Sequence, residues 1–372
     1  VYQSLFGDEI KTQLIMAYLE LYRHKLKHNY EYLDRYLKAD KKEWAIVTKL
    51  LCGNKSYLQE VINLGVTELC DSRVSNLKTI KKLAPHIQTV YIKPPARRSV
   101  KSVVSYADVS FNTELKTIQL LSDEAIKQDK IHKVVIMIEM GDLREGVMGE
   151  DLLDFYGEIF KLQGIEVIGI GANINCLSGV LPTQDKYIQL SLYRQLIEFK
   201  FNRKIPWITA GTSITLPLLW RKQIPSSINH FRIGESLFFG TDLLEGGAFK
   251  GMKEDVIRLF TEIIEISEKP KVPIGYLAEN PSGETLDVHE SDYGEKAYRA
   301  IVDIGLLDIS TDFLVTEDED IEIVGASSDM LILDLGEQHA SYKVGDLISF
   351  KLKYMGALGL FNSNYIDKRI VD

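Results

Sequence analysis

The stretch Trp44-Ala-Ile-Val-Thr-Lys49 has the pattern of a short buried strand that ends on a lysine. Seven similar apolar runs follow it, separated by amphipathic stretches with helical spacing. Strand and helix alternating eight times favour an α/β fold with a (β/α)8 TIM-type barrel. An open doubly wound sheet is the competing architecture, but no dinucleotide fingerprint follows the first strand. The predicted strands are 45–49, 67–70, 87–92, 108–111, 133–140, 165–172, 207–210 and 229–233.

Beyond residue 245 the pattern changes to short aliphatic runs separated by turn residues, which is typical of a mostly-β domain. The segment 256–266 suits either a helix or a strand. A strand-like run at 17–22 precedes a helical pattern at 23–36, and we expect this strand to pair with the C-terminal domain. The predicted parts are an N-terminal strand and helix at 1–43, the barrel at 44–245 and the β domain at 246–372.

Composition narrows the classes of partner. The 372 residues carry a net charge of -9, whereas nucleic-acid binding normally needs a basic face. Three cysteines are too few for a disulfide framework, and no spacing links them to the histidines as metal ligands. The N-terminal residues lack an apolar signal core. We therefore expect a cytoplasmic protein with no metal, no nucleic-acid partner and no membrane span.

Polar residues end most of the predicted strands, where a barrel of this kind forms its active site. Lys49 ends the first strand, and burial at that position disfavours the charged form of its amine. A neutral amine can form a Schiff base with a carbonyl compound. Taken alone, the simpler interpretation of Lys49 is a strand end that reaches solvent.

The loops after the seventh and eighth strands suit a phosphate group. Gly211 and Gly234 permit a close backbone approach, and Thr212 and Ser213 add hydroxyl donors. Barrel enzymes commonly hold phosphate in these two loops. The alternative is an ordinary βα turn in which the hydroxyls cap a helix.

Five short motifs occur in order along nearly the whole chain. They are Val47-Thr-Lys-Leu-Leu-Cys-Gly53, Asp71-Ser-Arg73, Gly141-Asp-Leu-Arg144-Glu-Gly146, Arg232-Ile-Gly234 and Gly325-Ala-Ser-Ser-Asp329. Together they resemble the alanine racemase family of fold-type III pyridoxal-phosphate enzymes, and within it the ornithine racemase-like branch. The resemblance implies pyridoxal 5'-phosphate as cofactor, amino acid racemisation as activity and a head-to-tail homodimer. A basic amino acid such as ornithine is a candidate substrate.

The resemblance also assigns roles to individual residues. Lys49 matches the lysine that carries the cofactor and removes the Cα proton, and Arg232 matches the arginine that faces the pyridine nitrogen. Asn173 stands where alanine racemases place a histidine beneath the ring. Residues that match the phosphate site are Thr212, Ser213, Gly234 and Tyr365.

Arg144 matches the arginine near the cofactor phenolate and the substrate carboxylate. Its position in a short glycine-flanked loop suits a guanidinium that pairs with a carboxylate. The structural alternative is an ion pair with Glu145 or Glu139.

The chain departs from the family pattern at the second acid–base group. Leu306 occupies the place of the tyrosine that serves the opposite face of the substrate in alanine racemases. We predict Asp308 as the replacement, because a residue two positions further along an extended segment lies on the same side. The alternatives are that Asp308 is a turn residue and that Ser328, Cys176 or a water molecule supplies the proton.

Three other functions compete with racemisation. Related barrels host amino acid decarboxylases and aldolases, but this chain lacks a cysteine-led decarboxylase motif and the metal set of threonine aldolases. A non-catalytic pyridoxal-phosphate carrier would lack the β domain that the C-terminal pattern predicts. Racemisation is therefore the favoured activity.

Overall fold

The computed structural model describes residues 17–279, 283 and 285–372. It divides into two compact units. We call Tyr22–Val256 with Asp372 the barrel unit, and Ile257–Val371 with 17–21 the β unit. The predicted N-terminal part includes 1–16, which lie outside the described residues. Within the described residues, no helix is long and apolar enough to cross a membrane.

A strand and a helix open the described chain, as the sequence predicts. They are β1 (Tyr18–Tyr22) and α1 (Arg23–Ala39). Helix α1 buries Leu26, Leu33 and Leu37, which recur at helical spacing and so form one apolar face.

Eight parallel strands close into a barrel in which each strand pairs with the next and the last pairs with the first. This arrangement confirms the predicted TIM-type barrel. Closure is made by the pairing of Ala45 with Arg232 and of its neighbours in register. The barrel strands are β2 (Glu43–Val47), β3 (Glu68–Asp71), β4 (Gln88–Tyr91), β5 (Val109–Asn112), β6 (His132–Met137), β7 (Ile165–Gly171), β8 (Trp207–Thr212) and β9 (His230–Ile233).

Helices connect these strands, and polar side chains cap some of them. Asn54 accepts a hydrogen bond from the Tyr57 N–H at 3.0 Å and so begins the helix that follows the first barrel strand. The helices of the barrel unit after α1 are α2 (Lys55–Asn63), α3 (Val74–Leu83), α4 (Val100–Tyr106), α5 (Leu115–Lys127), α6 (Leu152–Ile159), α7 (Gln184–Phe201), α8 (Leu216–Trp220) and α9 (Glu235–Phe239).

The core of the barrel is built from alternate residues of its strands. Ala45 and Val47 of β2 share one buried cluster with Val109 and Phe111 of β5. Residues two apart in a strand point to the same face. Ala45 and Val47 therefore both face the barrel interior, and Lys49 follows shortly after the end of their strand.

The β unit is a mainly antiparallel sheet in which the long strand β10 is central. The segment 256–266, for which the sequence left helix and strand open, belongs to that strand. The sequence did not predict the helix α10. The elements are β10 (Ile257–Pro270), β11 (Lys296–Val302), β12 (Leu314–Thr316), β13 (Glu322–Ala326), β14 (Leu331–Asp334), β15 (Leu347–Leu352), α10 (Tyr354–Asn362) and β16 (Asp367–Val371).

Strand β1 pairs with two strands of the C-terminal sheet, as predicted. Tyr18 lies opposite Phe260 of β10 in antiparallel register, and their rings stack with centroids 5.2 Å apart. On its other side β1 pairs with β16, and the Arg369 guanidinium lies 3.5 Å from the Tyr18 ring centre. The first described strand is therefore an integral part of the C-terminal sheet.

Candidate active site

The turn after β2 places Lys49 at the carboxyl end of the barrel. Strand β2 ends at Val47, and a short 3-10 helix begins at Lys49. Thr48 between them is buried, and its hydroxyl lies 3.1 Å from the Cys70 carbonyl oxygen and 2.9 Å from a carboxylate oxygen of Asp71. These contacts tie the turn to the neighbouring strand and so hold the backbone of Lys49 in place.

The surroundings of the Lys49 amine favour its neutral form. Desolvation by nearby protein atoms lowers the pKa of this amine from its ordinary value of 10.5, and the Arg144 cation lowers it further. Cys176 and the carboxylates of Glu235 and Asp71 act in the opposite direction. The side chain as a whole is nevertheless exposed, so the amine remains accessible. An accessible amine with a lowered pKa is what a Schiff-base lysine requires.

Arg232 lies inside the barrel on β9 and is only 5% exposed. Its Nη2 donates to the Ala172 carbonyl oxygen at 2.9 Å, and its Nη1 donates to Asn173 Oδ1 at 3.0 Å. Desolvation lowers the pKa of Arg232 below its ordinary value. Its Nε is buried and has no hydrogen-bond partner among the described residues. A buried donor of this kind suits an acceptor on a bound ligand, such as a ring nitrogen.

A chain of hydrogen bonds runs from Arg232 to Arg144. Asn173 accepts from Arg232 and donates through Nδ2 to the Glu145 carboxylate. The same carboxylate accepts from Nε of Arg144 and, at 2.6 Å, from its Nη2. The alternative predicted for Arg144, an ion pair with Glu145, is therefore present. Both predicted arginines and Asn173 belong to one connected group of side chains.

A buried carboxylate joins the loops that follow β6 and β7. Asp142 is 1% exposed and accepts from the three consecutive backbone N–H groups of 176–178 at 2.9 to 3.1 Å. In the same loop, a Cβ on Gly146 would lie 2.1 Å from the Glu139 nitrogen, so only glycine fits there. The role of Asp142 was not predicted, because its partners begin 34 residues away in the chain.

The predicted phosphate-site residues Thr212, Ser213 and Gly234 lie at the ends of β8 and β9. Hydrogen bonds within the protein already involve the two hydroxyl groups. The Thr212 side chain caps the turn that follows it, and Ser213 Oγ accepts from the Ser236 N–H at 3.2 Å. A Cβ on Gly234 would lie 3.2 Å from the Cβ of Val47, so this glycine also allows close strand packing. Thr212 thus takes part in a capping box, as the helix-capping alternative describes, and Ser213 contacts the first turn of α9. Each hydroxyl can still donate its hydrogen.

The other end of the barrel carries a cavity of about 550 Å³, beside α1 and the first residues of β2 and β3. Residues at the amino ends of barrel strands generally serve stability rather than catalysis. We therefore place the candidate site at the carboxyl end, despite this cavity. Across the described parts of the chain, no group of three or more histidine, cysteine or acidic side chains is placed to hold a metal ion.

Comparison with known proteins identifies the family. A family model described as the N-terminal domain of alanine racemase matches residues 22–242. The chain belongs to the alanine racemase family. An ornithine racemase of Acetoanaerobium sticklandii is 35% identical and aligns over 94% of this chain and 98% of its own length. A lysine racemase of Thermotoga maritima is 28% identical over 87% of this chain and 89% of its own.

A solved alanine racemase supports the fold assignment. The structure from Bartonella henselae, described as carrying covalently bound pyridoxal phosphate, has a TM-score of 0.71 at 12% identity. The match covers 96% of this chain and 99% of that one. The predicted barrel with a C-terminal β domain is confirmed. The two curated relatives also confirm the predicted activity of an amino acid racemase.

Two of the predicted site residues, Asp308 and Tyr365, lie in the β unit. The Asp308 N–H donates to the Gly305 carbonyl oxygen at 2.9 Å, which closes a tight turn. The prediction that Leu306 and Asp308 share one side of an extended segment is wrong, because the chain reverses direction between them. Asp308 is half-buried, and desolvation raises the pKa of its carboxyl. Tyr365 is 84% exposed.

Proposed function

We propose that this protein is a pyridoxal-phosphate-dependent racemase of basic amino acids. The observation that supports this most directly is an accessible lysine of lowered pKa, Lys49, at the carboxyl end of a barrel of the alanine racemase family. The preference for a basic side chain is supported by the two curated relatives, which are an ornithine racemase and a lysine racemase.

Residues at the ends of four barrel strands would hold the cofactor. Lys49 would carry it covalently, and the buried Nε of Arg232 fits a ring-nitrogen acceptor because it has no other partner among the described residues. When bound, pyridoxal phosphate supplies the electron sink that makes the Cα proton of the amino acid acidic. The other proposed contacts are Asn173, Thr212, Ser213, Gly234 and Tyr365.

Different side chains serve the proton transfers and the binding of the substrate. Lys49, in its neutral form, accepts the Cα proton on one face. The positive charge of Arg232 opposes protonation of a neighbouring ring nitrogen by like-charge repulsion, which favours prompt return of a proton to Cα. Arg144 binds the substrate carboxylate through its guanidinium. Asp308 is the proposed donor on the opposite face, and desolvation raises the pKa of its carboxyl.

A head-to-tail homodimer that shares residues between its two sites is part of this proposal. The turn that carries Asp308 exposes two apolar side chains, Leu306 at 39% and Leu307 at 81%, which a second subunit would cover. We also propose a cytoplasmic location. It is supported by the three cysteines, all in described residues, which form no disulfide.

Exchange of the Cα proton tests the proposed activity. The purified protein with added pyridoxal phosphate is incubated in heavy water with single enantiomers of ornithine, lysine or alanine. We expect loss of the Cα proton signal by NMR and formation of the opposite enantiomer by chiral chromatography, faster for ornithine and lysine than for alanine.

The products separate the competing functions. A diamine with release of carbon dioxide would indicate a decarboxylase, and glycine with an aldehyde from a β-hydroxy amino acid would indicate an aldolase. Binding of the cofactor with no exchange of any amino acid would indicate a carrier protein. Each of these results contradicts the proposal.

A further inference from the structure

Glu145 holds two side chains that come from different barrel loops. Its carboxylate accepts from Nε and Nη2 of Arg144 and from Nδ2 of Asn173. The Glu145 side chain is 13% exposed, against 36% for Arg144. A carboxylate this well covered interacts more strongly with its partners than one at an open surface, because less water screens the charges.

The direction of these bonds determines how Asn173 is oriented. An amide has an acceptor end and a donor end, whereas a carboxylate only accepts and a guanidinium only donates. Oδ1 of Asn173 must therefore face Arg232 and its Nδ2 must face Glu145, as observed. Glu145 thus keeps Asn173 in the orientation that accepts from Nη1 of Arg232, and leaves Nε of Arg232 for another acceptor.

The same carboxylate uses only one side of the Arg144 guanidinium. Glu145 takes Nε and Nη2, and Nη1 lies on the other side of the planar group. A guanidinium has five N–H donors and can serve two carboxylates at once. The positive charge of Arg144 lowers the pKa of Arg232, whereas the negative charge of Glu145 raises it.

We propose that Glu145 is a positioning residue. It presents Arg144 to the substrate carboxylate and holds Asn173 in the orientation that accepts from Arg232. This inference rests on the proposed function, in which Arg144 binds that carboxylate. In this role Glu145 acts through its bonds to Arg144 and Asn173, and not directly on the substrate. Its effect should therefore appear in carboxylate binding and should depend on Arg144.

The test is the affinity of the cofactor-loaded protein for acetate, measured by calorimetry, alongside KM and kcat. We expect Glu145→Gln to raise the dissociation constant for acetate and KM by about ten-fold, because Arg144 loses a charge-assisted bond. Glu145→Asp should restore part of the affinity. Glu150→Gln removes the same charge from an exposed position nearby and should change nothing. Thermal melts establish that each variant is folded.

A double-mutant cycle decides whether Glu145 acts through Arg144. Arg144→Met should weaken acetate binding, and adding Glu145→Gln to it should have little further effect, since the two residues act as a unit. Additive losses would overturn the inference, as would wild-type affinity in folded Glu145→Gln or failure of the wild type to bind acetate. Because this measurement needs no turnover, a protein that racemises nothing but shows the cycle would contradict only the proposed function.

Discussion

Two lysines flank β2 and share a physical property. The pKa values of Lys42 and Lys49 are both lowered, mainly by desolvation. The difference lies in what surrounds the amine. Lys42 is buried and donates to three carbonyl oxygens within 225–228, the shortest bond being 2.7 Å to Ile228. Lys42 therefore serves the structure at the amino end of the barrel, and Lys49 is left as the reactive candidate.

We expect the cofactor to label Lys49 and not Lys42. Incubation with pyridoxal phosphate followed by reduction with borohydride should leave a stable adduct, located by peptide mapping. Lys42 serves as an internal control, since its pKa is also lowered but its amine is enclosed. An adduct on Lys42 or on a surface lysine in place of Lys49 would contradict the assignment.

Burial of His132 links the stability of the barrel to pH. The side chain is 3% exposed, and its Nε2 lies 2.8 Å from Ser110 Oγ. Desolvation lowers the pKa of His132 from 6.5 to about 4. In this pH range the unfolded chain therefore binds a proton that the native protein excludes.

The contribution of His132 to the free energy of unfolding should be fully present above pH 6.5 and should decline as the pH falls towards 4. A shift of this size corresponds to a loss on the order of 3 kcal/mol. We expect His132→Gln, which keeps a side-chain donor, to flatten that part of the dependence. Urea unfolding between pH 7 and 4.5 measures it, and equal slopes for wild type and variant would show that another group is responsible.

At the scale of the element, Gly211 allows strands β8 and β9 to approach each other. A Cβ at this position would lie 2.1 Å from an atom of the Phe231 ring. The pairing of the two strands shifts register between Thr209 and Gly211, immediately before the predicted phosphate loop. Close packing of these two strands therefore requires glycine at position 211.

We expect Gly211→Ala to destabilise the barrel by roughly 1–3 kcal/mol, the usual cost of overpacking. Its affinity for pyridoxal phosphate should also fall, because Thr212 and Ser213 would be displaced. Gly157→Ala is the matched control, since the nearest side-chain atom, on Phe201, would be 3.7 Å away and the site is helical. The control should be neutral or slightly stabilising in denaturant unfolding. Equal effects of the two changes would argue against the packing explanation.

Elements with a regular pattern could be predicted, and irregular ones could not. The eight barrel strands follow from repeated apolar runs, but β10 mixes the two periodicities because Phe260 and Ile264 interrupt its alternation. The turn at Asp308 follows an apolar Ile-Gly-Leu-Leu run, whose local pattern suits an extended chain. Its reversal depends on bonds from Leu306 and Leu307 to the carbonyl oxygens of Ser327 and Ser328, which no local signal reports.

The same limit applies to the candidate site. Lys49 and Arg232 could be found because strand ends converge in a barrel and because the motifs resemble a known family. The bond between Asn173 and Glu145 joins residues 28 positions apart, on separate loops. Such contacts form only when the strands are assembled into the barrel, so the sequence pattern alone does not predict them.

For the whole molecule, the exposed turn of the β unit leads to a prediction about assembly. We expect the wild type to sediment as a dimer and Leu307→Asp to shift it towards monomer, because a buried charge without a partner is costly. Ile131→Asp is the control, since Ile131 is 65% exposed at the amino end of β6. A monomeric wild type, or dimers of equal affinity in both variants, would exclude this turn from the interface.

The pairing of β1 with β10 has a consequence for the order in which the nascent chain folds. Strand β1 is made before the entire barrel unit, and its partner at Ile257 follows roughly 240 residues later. At about 5–20 residues per second, that interval lasts roughly 10–50 s on the ribosome. Leu19 and Leu21, both fully buried in the finished protein, have no sheet to join during this time. We therefore expect chaperones to bind this apolar strand while the barrel is being synthesised.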